Sequence, residues 1–312
     1  TSMAVNAYTR ISAANFNTLQ NKVSRLLGDG SGQTGYGQTL NSAPVAAESI
    51  VYASDMNQLL LDINRISIHQ AGSATALSAV TQSSTVKANE VNVGDNDGFN
   101  QYLTEVERLE GDAGVVDGTQ ITIETLDSDT RFSPWNGQLA HSFTLTFSTT
   151  DHRRAFFNAG GQVYISAQIE SPGDGPWKAK ADDWKTMLNN MGTIQFKANT
   201  TSKTGFGGTL FPIAPNTAIG NYQLTAGLQT LFERLGNDNY AENRYLIFAK
   251  EVSNKAIQFV IQFQDQDVGD PNVDESIPGI LVSKVQLRRP TGTYVNVPAP
   301  SYSMQSSLEV GD

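Results

Sequence analysis

The sequence predicts an α+β protein in which short repeated N-terminal helices are followed by a mainly antiparallel β-sandwich domain. Up to about residue 118 the apolar residues recur at the spacing of amphipathic helices, and beyond it they alternate with polar residues as in half-buried strands. The strand-like segments are short, turn residues separate them, and few are joined by helices, which favours an antiparallel sandwich. We therefore place a helical repeat region at 1–118, a β-sandwich-like domain at 119–290 and an extended tail at 291–312.

The helical region is built from a segment that the sequence repeats three times. Each copy has an apolar residue followed by Asn, apolar residues three and seven positions after the first, then Arg and one more apolar residue. The three copies start this pattern at Phe16, Met56 and Phe99. Ser12 is a good N-cap and Gly28 a good stop for the first helix. The predicted helices lie near 13–27, 54–68 and 97–110, with Ser54 or Asp55 capping the second and Asp97 capping the third.

The apolar faces of these helices need a covering surface. Each helix carries only about two heptads of apolar positions, too few for a freestanding coiled coil. We expect the faces to pack against each other or against a shared sheet, and to contribute to contacts between subunits. Gln20 is expected on the outward side of the first helix. The residues assigned to this oligomer or packing interface are Phe16, Leu19, Val23, Met56, Leu59, Ile63, Phe99, Tyr102 and Val106.

The arginine of the repeat has two interpretations. Arg25, Arg65 and Arg108 could bind phosphate or take part in catalysis. The structural interpretation is favoured: long side chains flank an apolar stripe and pair with nearby acids such as Asp62 and Glu105.

Alternation of apolar and polar residues predicts the strands of the second region. Two of these segments, separated by a three-residue turn, are expected to form a hairpin. The segment between 71 and 93 is either an extended connection or a set of weak strands. The predicted strands cover 120–126, 141–148, 162–170, 193–199, 244–252, 256–264 and 280–289.

Two short helices are predicted inside the β domain, each leading directly into a strand. Thr150 or Asp151 is the expected cap of the first helix and Asp182 that of the second. Because so short a helix needs tertiary contacts to be stable, we expect at least one of its two phenylalanines to lie in the core, and the two to differ in burial. A glycine at positive φ should then turn the chain into the strand. The residues of this structural turn are Phe156, Phe157, Gly160 and Gly161.

No catalytic, cofactor-binding or metal-binding residues are predicted. Gly30, Gly32 and Gly35 spell GxGxxG, but a dinucleotide site needs a strand before this motif and a helix opening on it, whereas here a helix precedes and a polar loop follows. The three histidines are dispersed and have no zinc-ligand spacing. They are His69, His141 and His152.

An acidic segment at 265–275 leaves calcium as an open question. Its carboxylates are the oxygen ligands that Ca²⁺ prefers, but their spacing does not match an EF-hand loop. A solvated hairpin loop is the favoured interpretation. The acidic residues are Asp265, Asp267, Asp270, Asp274 and Glu275.

The composition excludes several classes of partner. The formal net charge is −10, which argues against direct nucleic-acid binding, since that binding depends on clustered Lys and Arg. There is no cysteine, so disulfides and thiolate metal sites are excluded. No apolar run approaches the roughly 20 residues that span a bilayer, and the first residues lack the apolar core of a signal peptide.

Two segments of the chain have a distinctive sequence. One is the first amphipathic helix with the following Gly30-Ser31-Gly32 and Gly35-Tyr36-Gly37-Gln38; the other is 151–165, DHRRAFFNAGGQVYI. Both resemble virion structural proteins of tailed bacteriophages, particularly contractile-tailed and cyanobacterial phages. Together they cover about a third of the chain. The resemblance implies a non-enzymatic component of the tail, neck or fibre apparatus, located in the virion and needing no cofactor. Together with the repeated helices that need covering and the lack of an active-site pattern, it leads us to expect a symmetric homo-oligomer that bridges other virion structural proteins.

Other functions stay open at this point. A carbohydrate- or receptor-binding module of a phage fibre would use exposed tryptophans, and Trp135, Trp177 and Trp184 are the candidates. The simpler interpretation is that these side chains anchor a core. A capsid decoration protein and a wall-degrading hydrolase are further alternatives.

Overall fold

The computed structural model confirms the α+β class, with short N-terminal helices followed by two mainly antiparallel sheets. It describes residues 10–28, 34–81, 97–171, 176–198, 200–216, 221–222, 224–267 and 275–310, and the statements below concern these residues. The described helices are α1 Ala13–Leu27, α2 Ala53–Ala71, α3 Phe99–Gly111, α4 Thr150–Asn158 and α5 Ala179–Met191.

The chain forms two compact units that are not continuous in sequence. The helical unit comprises Thr1–Thr122, Arg154–Gly160 and Pro290–Pro298, and the β unit comprises Ile123–Arg153, Gly161–Arg289 and Ala299–Asp312. The first boundary lies close to the one predicted at 118. Two short segments that the sequence placed in the β domain and in the tail belong to the helical unit instead.

The helical unit is a bundle in which α1, α2 and α3 contact one another pairwise. Ser12 caps α1 as predicted: its hydroxyl accepts from the Asn15 amide at 3.1 Å, and Asn15 Oδ1 accepts from the Ser12 amide at 3.2 Å. Gly28 follows α1, and Gly72 ends α2 in the left-handed conformation at φ 75°.

Several predicted caps are wrong by a few residues. The N-caps are Tyr52 for α2, Gly98 for α3 and Lys178 for α5. Asp55 lies inside α2, where its carboxylate accepts from the Tyr52 amide at 2.7 Å. In α4 the capping hydroxyl belongs to Thr149, which accepts from the His152 amide at 3.0 Å. The side chains that satisfy helix termini act over three residues, so a one-residue shift of a helix start changes which side chain caps it.

The β unit contains a five-stranded and a six-stranded sheet. The five-stranded sheet has the order β1-β12-β3-β4-β5 and the six-stranded sheet the order β13-β2-β11-β10-β9-β6, while β7 and β8 form a separate pair. The strands are β1 Ile121–Arg131, β2 Gln138–Thr146, β3 Gln162–Glu170, β4 Ile194–Phe196, β5 Thr201–Lys203, β6 Thr209–Leu210, β7 Pro215–Asn216, β8 Asn221–Tyr222, β9 Gln229–Leu235, β10 Arg244–Ser253, β11 Ala256–Gln264, β12 Ile280–Pro290 and β13 Ser301–Ser306.

The two large sheets face each other, as the alternating pattern predicts. In β11 the residues Ile257, Phe259, Ile261 and Phe263 are all 0% exposed, whereas the residues between them are half-buried. Across the core, the ring of Phe196 in β4 meets that of Phe259 edge to face, with centroids 5.2 Å apart. Helix α5 packs on β3. The predicted hairpin is formed by β10 and β11, which pair antiparallel.

The C-terminal segment departs from the extended tail that the sequence predicts. Residues 301–306 form β13, an edge strand that pairs antiparallel with β2. Earlier in the segment, Val295 and Val297 are buried, and the Val297 amide donates to the Pro290 carbonyl at 3.0 Å. Most of this polar, proline-punctuated segment is therefore fixed by the fold.

Candidate functional site

The nine residues assigned to the repeated apolar faces lie inside the helical bundle. Each is 0% to 1% exposed, so within one chain the faces already cover each other. None of the nine side chains is exposed for a contact between subunits. Gln20, expected on the outward side, is also buried, and its Nε2 donates to the Ser42 carbonyl at 3.4 Å. That prediction was wrong because the segment after α1 folds back over this flank of the helix.

The repeated asparagine holds the segment that follows its own helix. Asn17 Nδ2 donates to the Val45 carbonyl at 2.9 Å while Asn17 Oδ1 accepts from the Val45 amide at 2.8 Å. Asn57 makes the same two bonds to Val80, at 2.9 and 2.7 Å. We call each pair of bonds a backbone clamp. The side-chain amide offers one donor and one acceptor, so it matches the N–H and C=O of one extended residue.

Asp62 in α2 holds the segment that follows α1, the one that Asn17 also binds. Its carboxylate is 0% exposed and accepts from the amides of Asn41 and Ser42 at 2.8 to 3.0 Å, and from Ser42 Oγ at 2.8 Å. Asn41 Nδ2 and Arg65 Nη1 also donate to it, at 2.9 and 3.1 Å. A buried carboxylate needs such donors to offset its desolvation. The role of this carboxylate is therefore structural: it holds the segment after α1 against α2.

The structural interpretation of the repeated arginines is confirmed for two of them. Arg65 pairs with Asp62 at 3.1 Å and Arg108 with Glu105 at 2.6 Å, each three residues apart on its helix. The hydrogen bonds that Arg108 donates to the Glu105 carboxylate raise the pKa of Arg108 above its usual range. Both guanidinium groups are engaged by carboxylates of the same helical unit.

The structural turn places both of its phenylalanines in the core. Phe156 is 0% and Phe157 2% exposed, and their rings meet edge to face with centroids 5.1 Å apart. The expected difference in burial was therefore wrong, because the end of α4 lies within the helical unit rather than at a surface. Gly160 has φ 92°, as predicted. In the same unit His69 Nε2 lies 3.0 Å from the Ala159 carbonyl, which ties α2 to this turn.

A histidine-centred polar cluster lies between the two sheets. His141 is 0% exposed, with Nδ1 2.9 Å from Ser283 Oγ and Nε2 3.2 Å from Asp127 Oδ2. Tyr302 OH donates to Asp127 Oδ2 at 2.6 Å. Since the carboxylate accepts, the consistent assignment has Nε2–H donating and Nδ1 accepting from the serine. Burial lowers the pKa of His141, opposed by the charges of Asp129 and Asp127, so the ring is neutral near pH 7.

The Ser-His-Asp set resembles a catalytic triad in composition but not in placement. Ser283 is 0% exposed and lies in the middle of β12, so its hydroxyl faces the sandwich core. A nucleophile has to reach the reacting carbon of a substrate. In this arrangement the hydroxyl can only orient the imidazole. The cluster therefore joins β1, β2, β12 and β13 through hydrogen bonds.

A buried ion pair that the sequence did not predict anchors α5. Lys180 Nζ lies 3.1 and 3.0 Å from the carboxylate oxygens of Asp265, and both side chains are 0% exposed. It also donates to the carbonyls of Asp267 and Glu275, at 3.1 and 3.0 Å. A lysine next to an apolar helix face gives no signal of this in the sequence, because its partners lie 85 or more residues away.

The acidic segment contributes the partners of this lysine. Asp265 and Asp267 at its start surround Lys180, while 268–274 lie outside the described residues, as do Gly30 and Gly32 of the glycine motif. Within the described ranges no group of three or more His, Asp or Glu side chains is placed to bind a metal ion. Likewise, no described helix is long and apolar enough to cross a membrane.

Two of the three tryptophans are core residues. Trp135 and Trp184 are 2% and 0% exposed and meet edge to face, with centroids 5.2 Å apart. Trp177 is half-buried: its Nε1 donates to Asp182 at 2.6 Å, and Lys185 Nζ lies 5.9 Å from the ring centre. The buried pair cannot form a sugar-stacking platform.

A surface cavity of the helical unit is the remaining candidate site. Its volume is about 310 Å³, and one wall is a face of α2. Tyr294 at the rim is 42% exposed, and Arg65 Nη2 donates to its carbonyl at 3.5 Å. No sequence pattern links these residues, since Tyr294 lies in the segment predicted as a tail. The lining residues are Asn41, Leu61, Asn64, Arg65, Ile68, Ala74 and Tyr294.

Comparison of the chain with protein-family models, with curated proteins and with solved structures finds no match.

Proposed function

We propose that the chain is a structural protein of a tailed-phage virion, located in the tail, neck or fibre apparatus. The proposal starts from the sequence resemblance of the first helix with its glycine-rich loop and of the segment at 151–165. The observation that supports it is the way long connections are fastened by buried side chains. A protein that transmits force between neighbouring subunits gains from connecting segments that do not unfold locally, and buried hydrogen bonds oppose such local unfolding.

The backbone clamps in the helical unit are the first example of this fastening. They hold Val45 and Val80, whose positions lie 28 and 23 residues after the asparagines that bind them. Each clamp satisfies a backbone N–H and C=O that would otherwise need water or a strand partner. Residues 34–52 and 72–81, the described parts of the connections after α1 and α2, are thereby held in place without being part of a sheet.

The C-terminal strand of the β unit is the second example. Asp129 accepts from Ser307 Oγ and from the Leu308 amide, both at 2.7 Å, and Arg131 Nη1 donates to the Leu308 carbonyl at 2.9 Å. Leu308 itself is 0% exposed. Together with the bond from Tyr302 to Asp127, these contacts tie the edge strand β13 to β1 of the other sheet.

We further propose that the chain assembles with copies of itself and with other virion proteins through surfaces other than the repeated apolar faces. Those faces are used inside the monomer. The most exposed large apolar side chain among the described residues is Phe206, at 66%, and Phe132 in the same β unit is 58% exposed. Exposed aromatic residues are enriched at protein interfaces.

Two experiments test the proposal. Antibodies raised against the purified chain should label intact phage particles at the tail, neck or fibres in negative-stain electron microscopy. Labelling of the capsid surface would favour the decoration alternative, and particles that bind no antibody and contain no such polypeptide would refute a virion role. Native mass spectrometry of the pure protein should show one closed oligomer, with Phe206→Ser reducing its population. A monomer at every concentration would contradict the self-assembly part alone.

A further inference from the structure

We propose that the cavity on α2 binds one neutral sugar ring. The proposal does not depend on the role in a virion, since it rests only on the shape and chemistry of the cavity. Its volume of about 310 Å³ is at the lower end of the range of small-molecule sites, which suits a single ring better than an extended cofactor.

The walls of the cavity combine apolar surface with an aromatic side chain. Leu61, Ile68 and Ala74 supply aliphatic surface, with Leu61 49% exposed. Tyr294 is the aromatic residue, 42% exposed. A pyranose has an apolar face of C–H groups, and the negative face of an aromatic ring attracts such groups. Exposed apolar side chains at a concave surface gain from being covered.

Two amides present unused hydrogen-bonding atoms in fixed orientations. Asn64 Oδ1 accepts from the Thr75 amide at 3.0 Å and from Thr75 Oγ1 at 2.8 Å, while its Nδ2 makes no hydrogen bond with a described residue. Asn41 Nδ2 donates to Asp62, and its Oδ1 likewise accepts from none of the described residues. Both asparagines line the cavity, so one donor and one acceptor at its wall remain for a pair of ligand hydroxyl groups.

The charges around the cavity favour a neutral ligand. Arg65 Nη1 is committed to Asp62 and to the Thr39 carbonyl, at 3.1 and 2.7 Å, and the adjacent carboxylate compensates its charge. The Asp62 carboxylate is buried and surrounded by protein donors, so it has no oxygen available for a cation. A purely apolar ligand would remove water from both amides without replacing its hydrogen bonds, which costs free energy. A sugar hydroxylated at its edge avoids this cost.

The test uses saturation-transfer NMR on the full chain with three probes: methyl β-glucoside, methyl β-galactoside and N-acetylglucosamine. At least one probe should receive saturation on its ring protons. Tyr294→Ala should weaken that binding about tenfold or more, since it removes the aromatic wall. Tyr52→Ala is the matched control, because Tyr52 is a 61% exposed tyrosine of the same unit outside the cavity. Binding should be unchanged in this control.

Asn64→Asp isolates the hydrogen-bond donor. The carboxylate keeps the acceptor that Thr75 uses but replaces the Nδ2 donor with a second acceptor. The variant should fold, as shown by an unchanged circular dichroism spectrum, and should lose binding about tenfold. Saturation of none of the three probes overturns the proposal, and so does saturation that survives both Tyr294→Ala and Asn64→Asp. A fourth probe, N-acetyl-leucine amide, gives the contrary outcome: if it binds and the sugars do not, the cavity receives an apolar side chain.

Discussion

Removal of one backbone clamp tests the account of the helical unit most directly. Asn57→Ala removes both hydrogen bonds to Val80. These are the bond from Asn57 Nδ2 to the Val80 carbonyl at 2.9 Å and the bond from the Val80 amide to Asn57 Oδ1 at 2.7 Å. Val80 is 4% exposed, so its N–H and C=O gain little access to water when the clamp is removed. The connecting segment then has to move, or to leave two buried polar groups unpaired.

The expected loss of stability follows from these two bonds. Each intramolecular hydrogen bond contributes about 1 kcal/mol net, and a buried group left unpaired costs about 1 to 3 kcal/mol. Alanine is a better helix former than asparagine by roughly 0.5 kcal/mol, which offsets part of this. For two bonds, Asn57→Ala should therefore lower the free energy of unfolding by about 1.5 to 5.5 kcal/mol, the lower figure applying if the segment moves and the upper if both groups stay buried and unpaired. Gln58→Ala is the matched control, since Gln58 is the next residue of α2 and is exposed.

The assay has to report on the helical unit. All three tryptophans lie in the β unit, so their fluorescence would follow the other unit. Urea unfolding followed by circular dichroism at the helical minimum is the suitable measurement. Hydrogen exchange of a peptide that covers Val80 adds a local probe, because this amide loses its acceptor in the variant.

Two results would refute the clamp. One is a stability of Asn57→Ala that differs from Gln58→Ala by less than about 0.5 kcal/mol, the range of ordinary surface changes. The other is an exchange rate at Val80 that stays the same in the variant and in the unaltered protein. Either would mean that packing alone positions the segment after α2, and that the asparagine of the repeat has no structural role.

Three further predictions concern single sites. Because burial lowers the pKa of His141, below about pH 6.5 the unfolded chain takes up a proton that the folded protein does not. The free energy of unfolding should therefore fall by up to about 1.4 kcal/mol for each pH unit below this value. In urea titrations at several pH values, His141→Gln should remove this part of the pH dependence. Asp265→Ala leaves the buried charge of Lys180 without its partner and should lower the free energy of unfolding, followed by tryptophan fluorescence, by about 3 to 5 kcal/mol. Most of this loss should be recovered when Lys180→Met is combined with Asp265→Leu. An equal loss in the single and the double variant would contradict the ion-pair account. Gly160→Val, at φ 92°, should cost at least about 1 kcal/mol more than Gly114→Val, where a Cβ meets no atom within 4 Å; equal melting temperatures would show that the turn tolerates side chains.

The elements were predictable because short-range rules fix them. The spacing of Phe16, Leu19 and Val23 defines one face of a helix at any point in a chain, and the observed helix starts right after the predicted cap Ser12. Strict alternation located β11, whose inward residues are all buried. The expected difference in burial between Phe156 and Phe157 was wrong, and both are buried. The burial of a short helix depends on which other elements pack on it, and these cannot be identified from the local sequence.

The candidate sites were not predictable because their partners are far apart in sequence. The asparagine at the second position of the repeat was visible, but its binding partner was not, since any extended residue can offer the same N–H and C=O. The cavity combines Asn64 with Tyr294, and the fold alone brings them together. By itself the sequence determined the helices, the strands with a clear alternation (β1–β4 and β10–β12) and the class of the fold, because hydrophobic periodicity and turn chemistry act over a few residues; it did not reveal β5–β9 or β13. Only the tertiary structure decided how polar side chains are used, because a hydrogen bond depends on the position of both partners and periodicity records only one.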